Sequence, residues 1–406
     1  MSSTSTTLAP AAPRTAGLAQ LALLLAGSCM PVLGAVLIAP VLPQMEDHFA
    51  GVSGADVLVP IVLAVPALLV GLAAPFAGLV VDAVDRKRLL IAAMIAYSIF
   101  GTAPLYLQSL GAIIGSRVLV GICEAAIMTC CTTLIADYWS GSRRSRYLGI
   151  QVLVAALSAT AFLGVGGALG SAGWRTPFWL YASAAIIAVP MLLLLWQPAA
   201  PATTAAATGP RRLPPVPWRQ LLIPCLVTVA GGIVFYALIV ELSFVLDDAG
   251  VTATATIGAI SAVMSLATAA GSGAFAKLSG FSPRRLLPVA FGVSAAGFAV
   301  VAATGSVPVI AVGAVLTGAG TGLLLPTLLT WAINRLHFEQ RGRGTGLWTG
   351  ALFLGEFLAP LLIAGLGAGT GGLRPALAIL GALAAVLAAT AFLAVPRDAA
   401  ALDVTS

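Results

Sequence analysis

The chain has 406 residues, of which 60% are hydrophobic and only 8% charged, with a mean hydropathy of +1.05. Soluble domains carry about 25% charged residues, so this composition excludes a water-soluble protein. Apolar runs of roughly 20 residues, each long enough to cross a bilayer as a helix, recur from end to end.

In chain order, residues 1–16 are rich in Ser, Thr, Ala and Pro and are expected to form a disordered tail. They lack the basic start and cleavage pattern of a signal peptide. Twelve spans follow, near 17–43, 55–81, 89–108, 111–137, 147–169, 177–196, 220–245, 255–278, 286–304, 307–333, 344–366 and 375–395. Hydrocarbon offers no partner to a free peptide group, so each span is expected to be a helix. The longest connection, at 197–218, is rich in Pro, Ala and Thr and reads as an extended linker. It divides the chain into an N-terminal bundle of six helices (17–196) and a C-terminal bundle of six (219–395), followed by a tail at 396–406.

The net charge of +6 reports topology rather than a nucleic-acid partner. If the spans alternate, the loops at 82–88, 138–146, 197–218, 279–285 and 334–343 share one side with both tails. Every Lys and Arg except Arg117, Arg175 and Arg374 lies in these segments or at their edges, while Glu46, Asp47, Asp56, Asp247 and Asp248 gather opposite. This positive-inside pattern places both termini in the cytoplasm, for a multi-pass protein of the cytoplasmic (inner) membrane.

The two halves repeat. With an offset of 195, Gly78 and Asp82 fall on Gly273 and Lys277. With an offset of 197, Gly121 falls on Gly318, Asp137 on Asn334, Arg144 on Arg341, Arg146 on Arg343 and Gly149 on Gly346. A repeat of six spans implies two pseudo-symmetric bundles with a cavity between them at mid-membrane depth. The 44 glycines suit close helix approach, since lipid supplies no hydrophobic drive to pack helices.

Between the second and third spans stands Gly78-Leu-Val-Val-Asp82-Ala-Val-Asp85-Arg86-Lys87-Arg88. It resembles the signature loop of the major facilitator superfamily, Gly-x-Leu-x-Asp-x-x-Gly-Arg-Lys/Arg. Gly78, Asp82, Arg86 and Lys87 match, while Val80 and Asp85 stand for the usual Leu and second Gly. The resemblance runs over residues 17–395. It implies twelve transmembrane helices in two pseudo-symmetric six-helix bundles, and a cytoplasmic gate in which Asp82 pairs with basic residues.

Charges at depth carry the chemistry. Arg117 and Glu124 lie seven residues apart on the fourth span, two turns or roughly 10 Å along one face, together with Met128. An ionised residue at the bilayer centre costs about 2.5–3.5 kcal/mol even on lenient scales, so such residues face a polar cavity or a partner. The pair is therefore expected to point into the space between the halves. Its setting resembles the fourth-helix Arg motif of proton-coupled members of the superfamily. Glu356 lies midway along the eleventh span, with Thr349 and Phe353 on its face. Glu241 lies near the outer end of the seventh, as an external-gate or site residue. At least one of Glu124 and Glu356 is expected to be protonated at rest, as proton coupling requires. Trp331, Trp348, Tyr236 and Met30 are further candidates to line a pocket.

No nucleotide-binding loop occurs in the spans. Neither His48 nor His337 has a partner at metal-ligand spacing, and the five cysteines sit inside apolar segments as small hydrophobes. The reading is therefore a secondary transporter and not an enzyme, with no cofactor or metal, driven by a proton gradient and acting as a monomer. Scarcity of Asn, Gln and Arg at depth favours efflux of a small amphiphilic neutral or cationic compound, of the multidrug kind. The fifth span lacks the proline usual in antiporters of the superfamily, which keeps open an uptake symporter for a carboxylate with Arg117 as anion contact. A receptor or a lipid-acting enzyme is a remote third reading.

Overall fold

The structure is a computed structural model that describes residues 15–76, 84–198, 218–337 and 340–394. Among the described residues there are twelve helices long and apolar enough to cross a membrane, and no strands. Their α-helical parts are α1 (Leu18–Val36), α2 (Ala55–Ala73), α3 (Arg86–Thr102), α4 (Leu110–Tyr138), α5 (Gly141–Gly170), α6 (Ser183–Leu194), α7 (Trp218–Asp248), α8 (Thr254–Leu278), α9 (Pro283–Ala303), α10 (Val307–Ile333), α11 (Arg341–Thr370) and α12 (Leu373–Ala394); the third span is completed by the 3-10 turn Ala103–Leu105 and the sixth by the 3-10 helix Thr176–Ala182.

Each expected span has its helix, and most run past the apolar window that marks them. α5 begins at Gly141 rather than 147 because the basic run Arg143–Arg146 continues the peptide hydrogen bonding after the hydropathy falls. α1 breaks at its end, where Ala39–Val41 forms a 3-10 turn with Pro40, before a short helix Leu42–His48. Proline lacks the N–H that would continue the ladder there. Asp85 caps α3, accepting from the Arg88 N–H at 2.9 Å, and Ser109 caps α4 from the Ala112 N–H at 3.2 Å.

Two apolar cores form. One draws on residues 21–195 joined by Tyr236, Val240 and Ala359, and the other on residues 221–384. An even number of crossings puts the start of α1 and the end of α12 on one face, the terminus side; the opposite face is the far side.

The halves meet differently on the two sides. Toward the far side, α5 and α8 touch backbone to backbone at Gly167 and Gly258, and Gly170 packs on Thr254. Tyr236 of α7 donates its hydroxyl across the halves to the carbonyl of Ala35 (2.8 Å) and lies near that of Leu63 (3.3 Å). Toward the terminus side, α2 and α11 stay joined, with Gly71 against Gly350 and Phe353, and Gly346 against Ala74 and Pro75. α5 and α8 part there instead. Their last polar contact is Thr160 to Ser265 at 3.1 Å. Beyond it Gln151 and Ala155 face Thr268 and Ser272 across open space, and Gly149 and Gly273 have no neighbour.

Candidate functional site: a cavity between the halves

The parting of α5 from α8 opens a cavity of about 630 Å³ between the bundles. Its wall is mostly apolar, with Pro31 of α1, Pro66 of α2, Met128 of α4, Ile239 of α7, Met264 of α8 and Phe353 of α11. Two ionisable acids border it, Glu124 from α4 and Glu356 from α11, which are 3% and 5% exposed. They lie close enough to interact electrostatically. Glu356 has no hydrogen-bonding partner or counter-ion among the described residues, while Oε1 of Glu124 is buried with no hydrogen-bond partner, though Arg117 lies within electrostatic reach of that acid. Two carboxylates in an apolar, partly enclosed space can exchange protons or hold a cation, and the wall offers contact for an amphiphile.

Glu124 is accommodated by a glycine. A Cβ on Gly34 of α1 would collide with the Glu124 carboxylate and lie 3.2 Å from the Tyr97 hydroxyl. Tyr97 itself donates to the Met30 carbonyl at 2.6 Å, which ties α3 to α1 beside the acid.

Arg117 does not share the cavity with Glu124 as expected. It is 1% exposed and turned into the N-terminal bundle, where Nη2 donates to the carbonyls of Phe100 (3.2 Å) and Gly101 (3.0 Å). Its guanidinium lies 4.8 Å from the Tyr181 ring centre and 5.3 Å from that of Phe178. Those carbonyls belong to the last turn of α3, where the helix dipole is negative, so the cation is held by backbone and aromatic faces. Tyr181 in turn packs 5.2 Å from Tyr97, so the two rings link the arginine to the acid with no ion pair between them.

Met128, Phe353 and Tyr236 line the cavity; Thr349, Trp348, Trp331 and Met30 do not. Trp348 is buried with its indole N–H unpaired, and Trp331 packs under Arg335, 4.8 Å from the ring centre. The Met30 side chain is buried beside Ser183 instead. Glu241 is buried near the far end of α7, outside the cavity and within electrostatic reach of Glu46. Of the gate motif, Gly78 and Asp82 lie outside the described residues. Arg86 forms an ion pair with Asp137 at the end of α4, and the Lys87 N–H meets the Gln197 side chain at 3.4 Å. Among the described residues no group of His, Cys, Asp and Glu is placed to hold a metal ion.

Among the cavity residues that escaped sequence reasoning are Gln151, Ser28 and Thr132. Gln151 falls just inside the fifth predicted span, where one amide barely lowers the windowed hydropathy. Its spacing from Leu148 and Ala155, three and four residues away on the same face, is the signal that was there to use.

The family model of the Major Facilitator Superfamily matches residues 23–279 and 224–405. The quinolone resistance protein NorA of Staphylococcus aureus is 24% identical over 200 residues, 48% of this chain and 50% of that protein. Multidrug resistance protein 2 of Bacillus subtilis is 32% identical over 175 residues, 41% of each chain. The chain thus spans about half the length, or less, of these curated relatives. Its fold is similar to a bacterial homolog of the human lysosomal transporter Spinster in an inward-facing, unoccupied conformation (TM-score 0.72, 18% identity, 92% of this chain and 96% of that one). It is also similar to the human organic anion transporter MFSD10 (TM-score 0.65, 18% identity, 91% and 99%). With the family matched along both halves and the twelve-helix fold in place, this chain is a multi-pass membrane protein that belongs to the Major Facilitator Superfamily.

Proposed function

We propose that this protein is a proton-coupled secondary transporter that exports a small amphiphilic, neutral or cationic organic compound across the cytoplasmic membrane. The observation that carries the reading is the apolar cavity between the halves, bordered by Glu124 and Glu356 with no basic residue among its described lining. An apolar wall holds the body of an amphiphile, and the acids accept either protons or its positive charge. Competition of proton and cargo for the same carboxylates is the simplest route to exchange, since each ligand shifts the population of facing states only by its differential affinity for them. The partial similarity to a quinolone resistance protein and a multidrug resistance protein supports export.

With both termini in the cytoplasm, as the charge distribution suggests, the parting of α5 from α8 faces inward and the Gly167–Gly258 contact seals the outer side. Loading from the cytoplasm is the state an exporter needs. The carboxylate symporter requires a cation at the cargo. Arg117, its assigned anion contact, is engaged by Phe100, Gly101, Phe178 and Tyr181 away from the cavity, which favours export. The test is susceptibility and uptake of a compound panel in an expressing strain, with Glu124→Gln and Glu356→Gln alongside. Tolerance to amphiphilic cations that is lost in the variants supports export; carboxylate uptake abolished by Arg117→Ala supports the symporter instead.

A further inference from the structure

We propose that Gln151 is a specificity-determining residue, whose side-chain carbonyl is held toward the cavity to accept a hydrogen bond from an N–H or O–H of the cargo. The proposal rests on the export reading and deepens it, by separating donor-bearing amphiphiles from fully alkylated ones.

The amide orientation follows from hydrogen-bond logic. Ser28 Oγ donates its single hydrogen to the Leu24 carbonyl at 2.7 Å. Toward Gln151 it can therefore only accept, so the amide nitrogen must face it, at 2.8 Å. The second amide hydrogen goes to Thr132 Oγ1 at 3.1 Å. Reversing the amide would put its oxygen against Ser28 Oγ, whose hydrogen would have to leave the Leu24 carbonyl to meet it. Both amide hydrogens are thus used on α1 and α4. Oε1 has no protein partner, yet it is not among the side-chain atoms sealed from the cavity, although Gln151 as a whole is 9% exposed.

The rest of the wall makes this acceptor selective. The Tyr236 hydroxyl donates to Ala35, that of Thr268 to Met264 and that of Ser272 to Gly322. Oε1 can only accept, so a cargo that bonds to Gln151 must bring its own hydrogen. The site lies ten residues into α5, roughly 15 Å from its start, on the side where α5 and α8 part. An amine or ammonium bearing N–H satisfies Oε1, while a carboxylate facing the same oxygen is repelled. A hydrogen bond to a charged donor in such a site changes affinity by about tenfold.

The experiment is binding to the purified full-length protein in detergent, followed by tryptophan fluorescence. The probes are aryl-alkyl primary amines, each paired with its N,N,N-trimethyl counterpart, which has the same charge and no donor. Wild type is expected to favour the primary amines. Gln151→Leu should weaken them about tenfold while the trimethyl compounds stay within twofold. Ser28→Ala, which keeps the amide but frees it to turn, should give the same selective loss in smaller measure. Retained trimethyl binding shows that each variant is folded. Equal weakening of both probe types in Gln151→Leu, or no change in either, overturns the assignment of Gln151 while leaving the export reading intact. Failure of wild type to bind any member of either series overturns the export reading itself.

Discussion

A single methyl group is enough to test where Glu124 sits. Gly34 leaves room for the carboxylate, and a Cβ there lands on it. Gly34→Ala should therefore cut transport by at least about tenfold while the protein still purifies as a folded monodisperse species, because it moves one side chain by an ångström or more at the reacting position. Transport at the wild-type rate in that variant would show that Glu124 points elsewhere. Arg117 gives the opposite expectation. Two charge-assisted bonds to α3 carbonyls and two aromatic faces hold it inside one bundle, so Arg117→Ala should lower stability, on the order of 2–3 kcal/mol. Thermal unfolding in detergent reads this directly, and Arg117→Lys should recover part of the loss. Unchanged stability combined with lost uptake of an anion would return Arg117 to the cargo. The two acids were legible in the sequence because charge is so rare at depth. The direction of Arg117 was not, since its long side chain can leave the helical face on which its Cα lies and find partners on α3 and in the segment before α6.

At the scale of helices, the seal between α5 and α8 is a contact of backbones that only glycine permits. Gly258 lies against Gly167 and the Leu163 carbonyl, whereas Gly273 on the same helix faces open space. Gly258→Leu should block closure of the far side and abolish transport, and Gly292→Leu on α9, where a side chain also meets nothing but away from the α5–α8 gap, should leave it nearly unchanged. The check is labelling of a cysteine placed at Met128 by an impermeant maleimide from the far side, which should rise in Gly258→Leu alone. Equal labelling in the two variants would contradict this account of the seal. The twelve spans were readable because length and hydropathy are imposed by the bilayer. Their ends were not, because basic and polar turns such as Arg143–Arg146 continue the helix after the apolar signal stops. Gln151 went unread for a related reason: one amide among valines and alanines looks like span, and only the fold brings Ser28 and Thr132 to it.

Over the whole molecule, the repeat supplies the scaffold and the acids break its symmetry. Glu356 and its counterpart Ala159 both border the cavity, so equivalent positions meet there, but only one carries a carboxylate. Glu124 has Thr321 as its counterpart, buried with its hydroxyl donated to the Thr317 carbonyl of its own helix. In the mechanism proposed above, the two pseudo-equivalent bundles pivot about α1–α7 and α2–α11 contacts to give alternating access, and the asymmetric acids supply the coupling. The most direct measurement is transport by proteoliposomes of wild type, Glu124→Gln, Glu356→Gln and the double variant, comparing substrate exchange at equal pH with uphill transport driven by an imposed pH gradient. The account predicts that the double variant keeps exchange but loses gradient-driven accumulation. Undiminished gradient-driven accumulation in the double variant would contradict it.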